Sequence, residues 1–391
     1  MACSQELTEK LRFVRRNLKE EYLNSIDDAP WLVGFSGGKD SVLLTQLVIE
    51  SLLAISPDER VREVYIVCND TLVESPVFLS HLNRLLAEMA DGFLALRLPI
   101  SVVKTTPDTD DTFWVNLLGK GYPAPNPSFR WCVERLKIRP TKKFLQEKVS
   151  QSGRAVLLLG VRKAESAARA QRIEKYTALA GNTRLVPHSE IPGCGIFRPI
   201  MDLTTSEVWE ALKGSSPPWG GSHDGLFTLY RDANAGEWPF VVDDGGAPPT
   251  ASPMLARFGC WTCTVVGKDR SLESLADRGN DVLSELLAFR NRLKDFSADP
   301  EHRSKTRRDG RHGLGPLTFE AREMLLDDLL NMQQTIGLRL ISAQEVNIVR
   351  NQWARDEFTT SLRDLQRLVS TGHRCSLFGG CAECTCRGEA T

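Results

Sequence analysis

Apolar residues along the chain fall into two rhythms. Four short runs, Trp31 to Phe35, Glu63 to Cys68, Pro99 to Lys104 and Ala155 to Val161, are dense in Val, Ile and Leu, the composition of strands buried on both faces of a parallel sheet. Between the first two, the spacing lengthens to the helical period. Leu43, Leu44, Leu47, Val48 and Leu52 recur as one face of a helix lying on that sheet, and Leu7, Leu11, Val14 and Leu18 mark an amphipathic helix ahead of it. The alternation predicts βα units and an α/β, doubly wound parallel sheet. Thr204 and Glu207 form a capping box before Val208, Trp209 and Leu212, so a helix closes this region near residue 213.

Residues 214–259 break the rhythm. Ser-Pro-Pro-Trp-Gly-Gly and Gly-Gly-Ala-Pro-Pro predict a long loop with little regular structure. A C-x-x-C and a helical annex follow over 260–366, with helices expected at Leu272 to Leu293, Phe319 to Ile336 and from Ser342 onward, the last under a Ser342/Glu345 capping box. Residues 367–391 form a cysteine-rich tail. At 391 residues and 41% hydrophobic content, the chain suffices for one large α/β domain over 1–213 with this annex. Met1 to Glu20 is charged without an apolar core, and no run of 18 apolar residues occurs, so a cytoplasmic protein with no membrane segment is expected. Its ten cysteines then read as reduced thiols or metal ligands. The net charge of -1 argues against a surface that is one nucleic-acid grip, yet Arg130 to Lys143 and Arg303 to Arg311 are dense basic runs. Each suits phosphate binding or a solvated, salt-bridged surface.

Ser36-Gly37-Gly38-Lys39-Asp40-Ser41 lies between the first strand and its helix, where backbone N–H groups and a helix dipole hold anions. It is not a Walker A loop, which needs Gly-x-x-x-x-Gly-Lys-Ser/Thr. The hexapeptide resembles the signature of the PP-loop ATP pyrophosphatases and of the related adenylylsulfate and phosphoadenylylsulfate reductases. That resemblance implies the adenine nucleotide alpha hydrolase-like fold, with the ligand at the carboxyl ends of the strands. It implies ATP split to AMP and pyrophosphate, Lys39, Asp40 and Ser41 as catalytic residues, and Asp40 helping to place Mg²⁺. Asn69, Asp70 and Thr71 correspond to the positions that hold adenine and ribose. Gly160 follows the fourth strand, and Arg162 and Arg169 beyond it suit bidentate phosphate contact.

Cys260-Trp261-Thr262-Cys263 presents two thiols at a spacing used by metal sites and redox pairs. Cys132 stands in Arg130-Trp131-Cys132 to Pro140, which resembles the reductase segment with Trp131 in place of a first cysteine. Cys194, just before Ile196-Phe197-Arg198-Pro199-Ile200, also resembles the reductases. The expectation is that Cys132, Cys194, Cys260 and Cys263 ligate a [4Fe–4S] cluster, with a zinc knuckle as the alternative for the C-x-x-C. Cys68 is expected as a buried strand cysteine. Cys375, Cys381, Cys384 and Cys386 form either a second metal site or a reactive tail.

Within the superfamily, the chain is most similar to DndC, the sulfurtransferase family of DNA phosphorothioation, and to its single-strand SspD counterpart. The segments carrying this are Ser36 to Ser41, Val67 to Pro76, Pro127 to Cys132, Arg257 to Cys263, Leu287 to Arg292 and Gly315 to Thr318, with the tail departing from the pattern. The resemblance implies adenylylation of a DNA backbone oxygen and its replacement by sulfur. The implied partners are DNA, a cysteine desulfurase as sulfur donor and other phosphorothioation subunits. The rival readings are a nucleotide-sulfate reductase, a tRNA thiolase and a non-catalytic nucleotide-sensing scaffold.

Overall fold

The computed structural model describes residues 4–23, 28–180, 183–233 and 259–370. Cys3 and the tail cysteines Cys375, Cys381, Cys384 and Cys386 lie outside the described residues. Six strands form one sheet: β1 (Trp31–Phe35), β2 (Val64–Asn69), β3 (Ile100–Thr105), β4 (Ala155–Leu158), β5 (Val186–Pro187) and β6 (Cys194–Phe197), in the order β3-β2-β1-β4-β6-β5. All neighbours are parallel except β5 with β6. The four apolar runs are the four strands from β1 to β4. The other two are too short, and interrupted by Pro187 and Gly195, to carry a strand signal.

Period-two alternation sorts the strands' side chains onto two faces. Trp31, Val33, Phe35, Ile66, Cys68, Val156 and Leu158 join the larger core, under α1 (Gln5–Leu23), α2 (Lys39–Leu53) and α3 (Pro76–Ala95). Leu32, Val67, Ala155, Leu157 and Cys194 face the other way, against Leu145. That leucine belongs to α5 (Arg139–Ser152), reached from the short α4 (Trp131–Val133) through a π-helical turn at Glu134–Ile138. The chain runs outward from β1 to β3 and then crosses back to β4. The sheet's topological switch, and with it the ligand crevice, therefore falls at the carboxyl ends of β1 and β4.

After α6 (Ala167–Ala180), α7 (Thr205–Lys213) starts at the expected capping box, with Thr204 Oγ1 accepting from the Glu207 N–H at 3.2 Å. The stretch expected as loop contains α8 (Asp224–Ala233). Its buried Leu226, Leu229 and Tyr230 pack on the large core, a helical spacing hidden by flanking Gly and Pro. Residues 234–258 of that stretch lie outside the described ones.

The annex holds α9 (Arg270–Ala276), α10 (Asp281–Ala298), α11 (Phe319–Ile336) and α12 (Ala343–Ser370). The helix expected from Leu272 to Leu293 is two helices. Gly279, at φ +82°, ends one, and Asn280 caps the next by accepting from the Leu283 N–H at 3.1 Å. The annex core takes in residues between β3 and α5 as well: Phe113, Trp114 and Trp131 pack with Trp261, Phe289 and Trp353. Indole N–H groups stitch it, Trp114 donating to the Leu340 carbonyl and Trp353 to that of Leu118, both at 2.7 Å. Among the described residues, no helix is long and apolar enough to cross a membrane.

Candidate active site

Ser36 to Ser41 folds on itself where β1 meets α2. Gly37 adopts φ +71°, a left-handed conformation that favours glycine, and a Cβ there would also press on the tip of Leu82 at 2.8 Å. The Ser36 N–H donates to Ser41 Oγ at 3.2 Å, and Ser41 Oγ donates to the Gly38 carbonyl at 2.9 Å. Lys39 turns its ammonium onto Asp40 Oδ2 at 3.0 Å. The Tyr230 hydroxyl accepts from the Lys39 N–H at 3.4 Å, and burial pushes that phenol above its ordinary pKa. α8 thus closes over the loop, a role for Tyr230 that its Gly/Pro-rich setting conceals in the sequence.

A cavity of about 630 Å³ opens beside the loop. Ser36, Asp40 and Ser41 line it with Asn69, Gly160 and Arg169, six of the residues expected to bind nucleotide. Three others stand elsewhere. Arg162 is 1% exposed, and its guanidinium is committed to Asp40 Oδ1 at 2.6 Å, the Leu203 carbonyl at 3.2 Å and Thr205 Oγ1 at 3.1 Å. It positions Asp40 and does not face the cavity. Asp70 accepts from the Leu72 N–H at 2.9 Å, with Leu72 at φ +64°, and pairs with Lys104 at 3.2 Å. Its carboxylate shapes the turn after β2. Thr71 belongs to the cysteine site.

There, Cys260 forms an isolated antiparallel bridge with Glu74, while Ser75 N–H donates to the Gly259 carbonyl and Trp261 N–H to that of Val73. This pins the C-x-x-C to the loop after β2, at the sheet's carboxyl edge. Cys260 Sγ lies 3.2 Å from Thr71 Oγ1, which donates to Glu74 Oε1 at 2.9 Å. Burial pushes the Cys260 thiol up to about 12, and Cys132, also raised by burial, feels the charge of Cys263. Burial pulls Lys137 down, but the surrounding Cys260, Glu74, Cys132 and Cys263 raise it overall. Arg290, 1% exposed, holds the cysteine loop from below by donating to the carbonyls of Cys263 at 2.9 Å, Gly267 at 3.2 Å and Val266.

Cys194 does not join these three. It begins β6 opposite Ala155, the first residue of β4, so it sits at the amino edge of the sheet. A sequence motif names the strand but not which end of it reaches the site. The four-cysteine set thus reduces to Cys132, Cys260 and Cys263. Three thiols without imidazole suit a soft centre, but their present arrangement does not surround one. Among the described residues, no group of three His, Cys, Asp or Glu could hold a metal ion.

Glu74 and Lys137 are the residues that sequence reasoning passed over. A second cavity of about 360 Å³ is lined by Ser36, Asp40 and Asn69 together with Glu74, Lys137 and Tyr230. Ser36, Asp40, Asn69 and Lys137 also line the first. The Glu74 side chain is 4% exposed, its Oε1 is 3.9 Å from Lys137 Nζ, and its Oε2 has no hydrogen-bond partner among the described residues. Both lie in segments that the sequence marks, Val67 to Pro76 and Arg130 to Lys143.

A protein of Methanocaldococcus jannaschii is 29% identical over 160 residues, covering 40% of this chain; the chain spans only 28% of that relative's length. The U34-tRNA thiolase NcsA from Methanococcus maripaludis, solved with its [4Fe–4S] cluster, is 14% identical at TM-score 0.34, with 74% of this chain and 79% of that one covered. The phosphoadenylyl-sulfate reductase of Candida auris, a phosphate complex, is 10% identical at TM-score 0.33, with 55% and 87% covered. Neither structural likeness assigns a role to any residue. The phosphoadenosine phosphosulfate reductase domain matches residues 30–266, which include the loop, both cavities and the three clustered cysteines, and the chain belongs to that family.

Proposed function

We propose that the protein is an ATP pyrophosphatase and sulfurtransferase that activates a backbone oxygen of DNA for replacement by sulfur. The observation that carries the reading is the shared wall: Ser36, Asp40, Asn69 and Lys137 line both cavities, and the second cavity ends at Glu74, which touches Cys260. A reductase of a nucleotide sulfate also needs a thiol near its nucleotide, and family membership favours that second reading.

In the proposed reaction the Ser36 to Ser41 loop holds the β and γ phosphates at the start of α2. Lys39, now paired with Asp40, exchanges that partner for phosphate; the Asp40 carboxylate would then help hold Mg²⁺, which would neutralise phosphate charge. Arg162 keeps the carboxylate aimed. A non-bridging phosphate oxygen attacks the α-phosphorus as the bond to the β-phosphate oxygen breaks, and pyrophosphate leaves. A persulfide on one of Cys132, Cys260 and Cys263, its outer sulfur transferred from a cysteine desulfurase, then attacks the DNA phosphorus and AMP departs; a second of these thiols attacks the inner sulfur, releasing the phosphorothioate and leaving a disulfide for a thiol reductant to reopen.

The test is anaerobic incubation with Mg-ATP, with and without DNA and desulfurase, assaying pyrophosphate, AMP and phosphate separately. Pyrophosphate and AMP in equal amounts are expected. Reduction of a nucleotide sulfate with no pyrophosphate from ATP sinks the proposal in favour of the reductase.

A further inference from the structure

The two basic runs, far apart in sequence, meet in the fold. Residues 303 to 317 form a hairpin-like arm through the bridges Thr306 to His312 and Arg303 to Leu317, with Arg307 N–H donating to the Arg311 carbonyl at 2.8 Å. Arg308 reaches from it to the Lys120 carbonyl and lies over the Tyr122 ring at 4.5 Å. From the other run, Arg135 lies over the same ring at 5.1 Å and donates to its hydroxyl at 2.8 Å. Phe129, 44% exposed, stands 6.0 Å from Tyr122, next to the exposed Arg130.

Below this ridge is a polar groove of about 450 Å³. The Asp111 carboxylate gathers three cations in it: Lys120 at 3.1 Å, Arg139 at 2.9 Å and Arg135. Five Lys and Arg side chains against three Asp line the groove, an excess of two positive charges, on a chain whose overall formal charge is -1. The groove also has an end point. Lys142 lines both it and the 630 Å³ nucleotide cavity, and Cys132 follows Arg130 by two residues.

We infer that this ridge and groove are the docking surface for the sugar–phosphate backbone of the DNA strand, led from the 303–317 arm past Tyr122 towards the nucleotide cavity. The inference rests on the function proposed above and names the surface that serves it. Arginine forks match phosphate oxygens, and the exposed Phe129 ring among cations gives a base a stacking platform. An acidic protein would satisfy the charges but would have no use for that platform. Lys305 and Arg307, exposed on the arm and without an ion-pair partner among the described residues, touch no part of the proposed chemistry and are the positions to reverse.

The experiment compares the full-length protein with its Lys305→Glu/Arg307→Glu variant for binding of a fluorescent DNA oligonucleotide across a salt series, and for binding of ATP. The variant should bind DNA about tenfold or more weakly at low salt, with the log–log salt slope smaller by about 2 and ATP affinity unchanged. Equal DNA affinity in the two proteins, no DNA binding by the unsubstituted protein, or displacement of DNA by polyglutamate as readily as by unlabelled DNA overturns the surface. Pyrophosphate release together with equal affinity overturns the surface alone. Weakened binding in the variant, with no pyrophosphate released by the unsubstituted protein, leaves the surface standing and removes the activity.

Discussion

Six consecutive residues, Ser36 to Ser41, make the nucleotide loop largely from their own backbone, whereas the cysteine site draws on separate stretches of chain around Glu74, Cys132, Lys137, Cys260 and Arg290. The first arrangement follows once a strand runs into a helix through two glycines. The second exists only after the annex core, with Trp131 and Trp261 inside it, has closed on the sheet domain. A local site should therefore fail through its chemistry, and an assembled one through its supports.

The largest expected effect tests the first half of that contrast. Asp40→Asn keeps the shape of the carboxylate but removes its charge, which both Lys39 and Arg162 engage. Pyrophosphate release should fall by about 10² to 10³, the cost of losing one preorganised electrostatic group. The alkylation rates of Cys132, Cys260 and Cys263 should not change. If they shift, the two regions are one unit and the contrast is lost.

Arg290→Ala tests the second half. It leaves the carbonyls of Cys263 and Val266 without their buried donor, while that of Gly267 keeps Lys294 Nζ at 3.1 Å, and at about 1 to 3 kcal/mol for a stranded polar group the stability loss should reach about 3 kcal/mol. Urea denaturation would measure it. Cys263 should alkylate faster while nucleotide affinity holds, and an equal loss of nucleotide affinity would show that the support is shared.

What the sequence disclosed follows the same division. The strand, the loop and α2 are local features, and hydrophobic period and glycine placement announce them without reference to the rest of the chain. The C-x-x-C is local too. In the sequence an arginine after a strand looks the same whether it meets phosphate or, as Arg162 does, turns inward to Asp40. Only the completed sheet shows that β6 begins, and does not end, at Cys194. Glu74 and Lys137 lie inside segments that the sequence marks, Val67 to Pro76 and Arg130 to Lys143, but only the fold brings the two side chains together at one cavity. The hydrophobic pattern thus discloses the elements and the local site, while partnerships across the fold belong to tertiary packing.

α8 complicates the local character of the loop, and pH can expose it. Burial holds His223 down to about 4, and its ring nitrogen is 2.9 Å from Gln46 Oε1, whose amide nitrogen donates to Glu50 and Ser215 at 2.8 Å. A histidine depressed in the folded state binds fewer protons than in the unfolded chain. Its stabilisation is therefore complete above about pH 6.5 and is lost as pH falls towards 4, by about 3 kcal/mol in all. His223→Gln should flatten the urea-midpoint profile across that window. Because His223 starts the helix that carries Tyr230, acid should also weaken ATP binding in the unsubstituted protein more than in the variant.

The smallest effect asks how local the loop is in the strict sense. Gly160 follows β4, and a Cβ placed on it would stand 3.0 Å from the Asp40 carbonyl oxygen and 3.2 Å from its carbon. Backbone cannot swing aside as a side-chain tip does, so Gly160→Ala must push the start of α2 away from β4 by a few tenths of an ångström. Overpacking costs about 1 to 3 kcal/mol, and the reduced freedom of the unfolded chain returns about 0.4 to 1 of it. The net stability loss should be about 1 kcal/mol. Gly153 supplies the control: at φ +73°, with nothing within 4 Å of its Cβ position, Gly153→Ala costs a similar amount through backbone strain alone. ATP titration of the two variants separates the cases. Weaker binding in Gly160→Ala but not in Gly153→Ala means that β4 props the loop through a single close contact. Equal binding in both means that the six residues hold their shape unaided, and the contrast between a local and an assembled site stands undiluted.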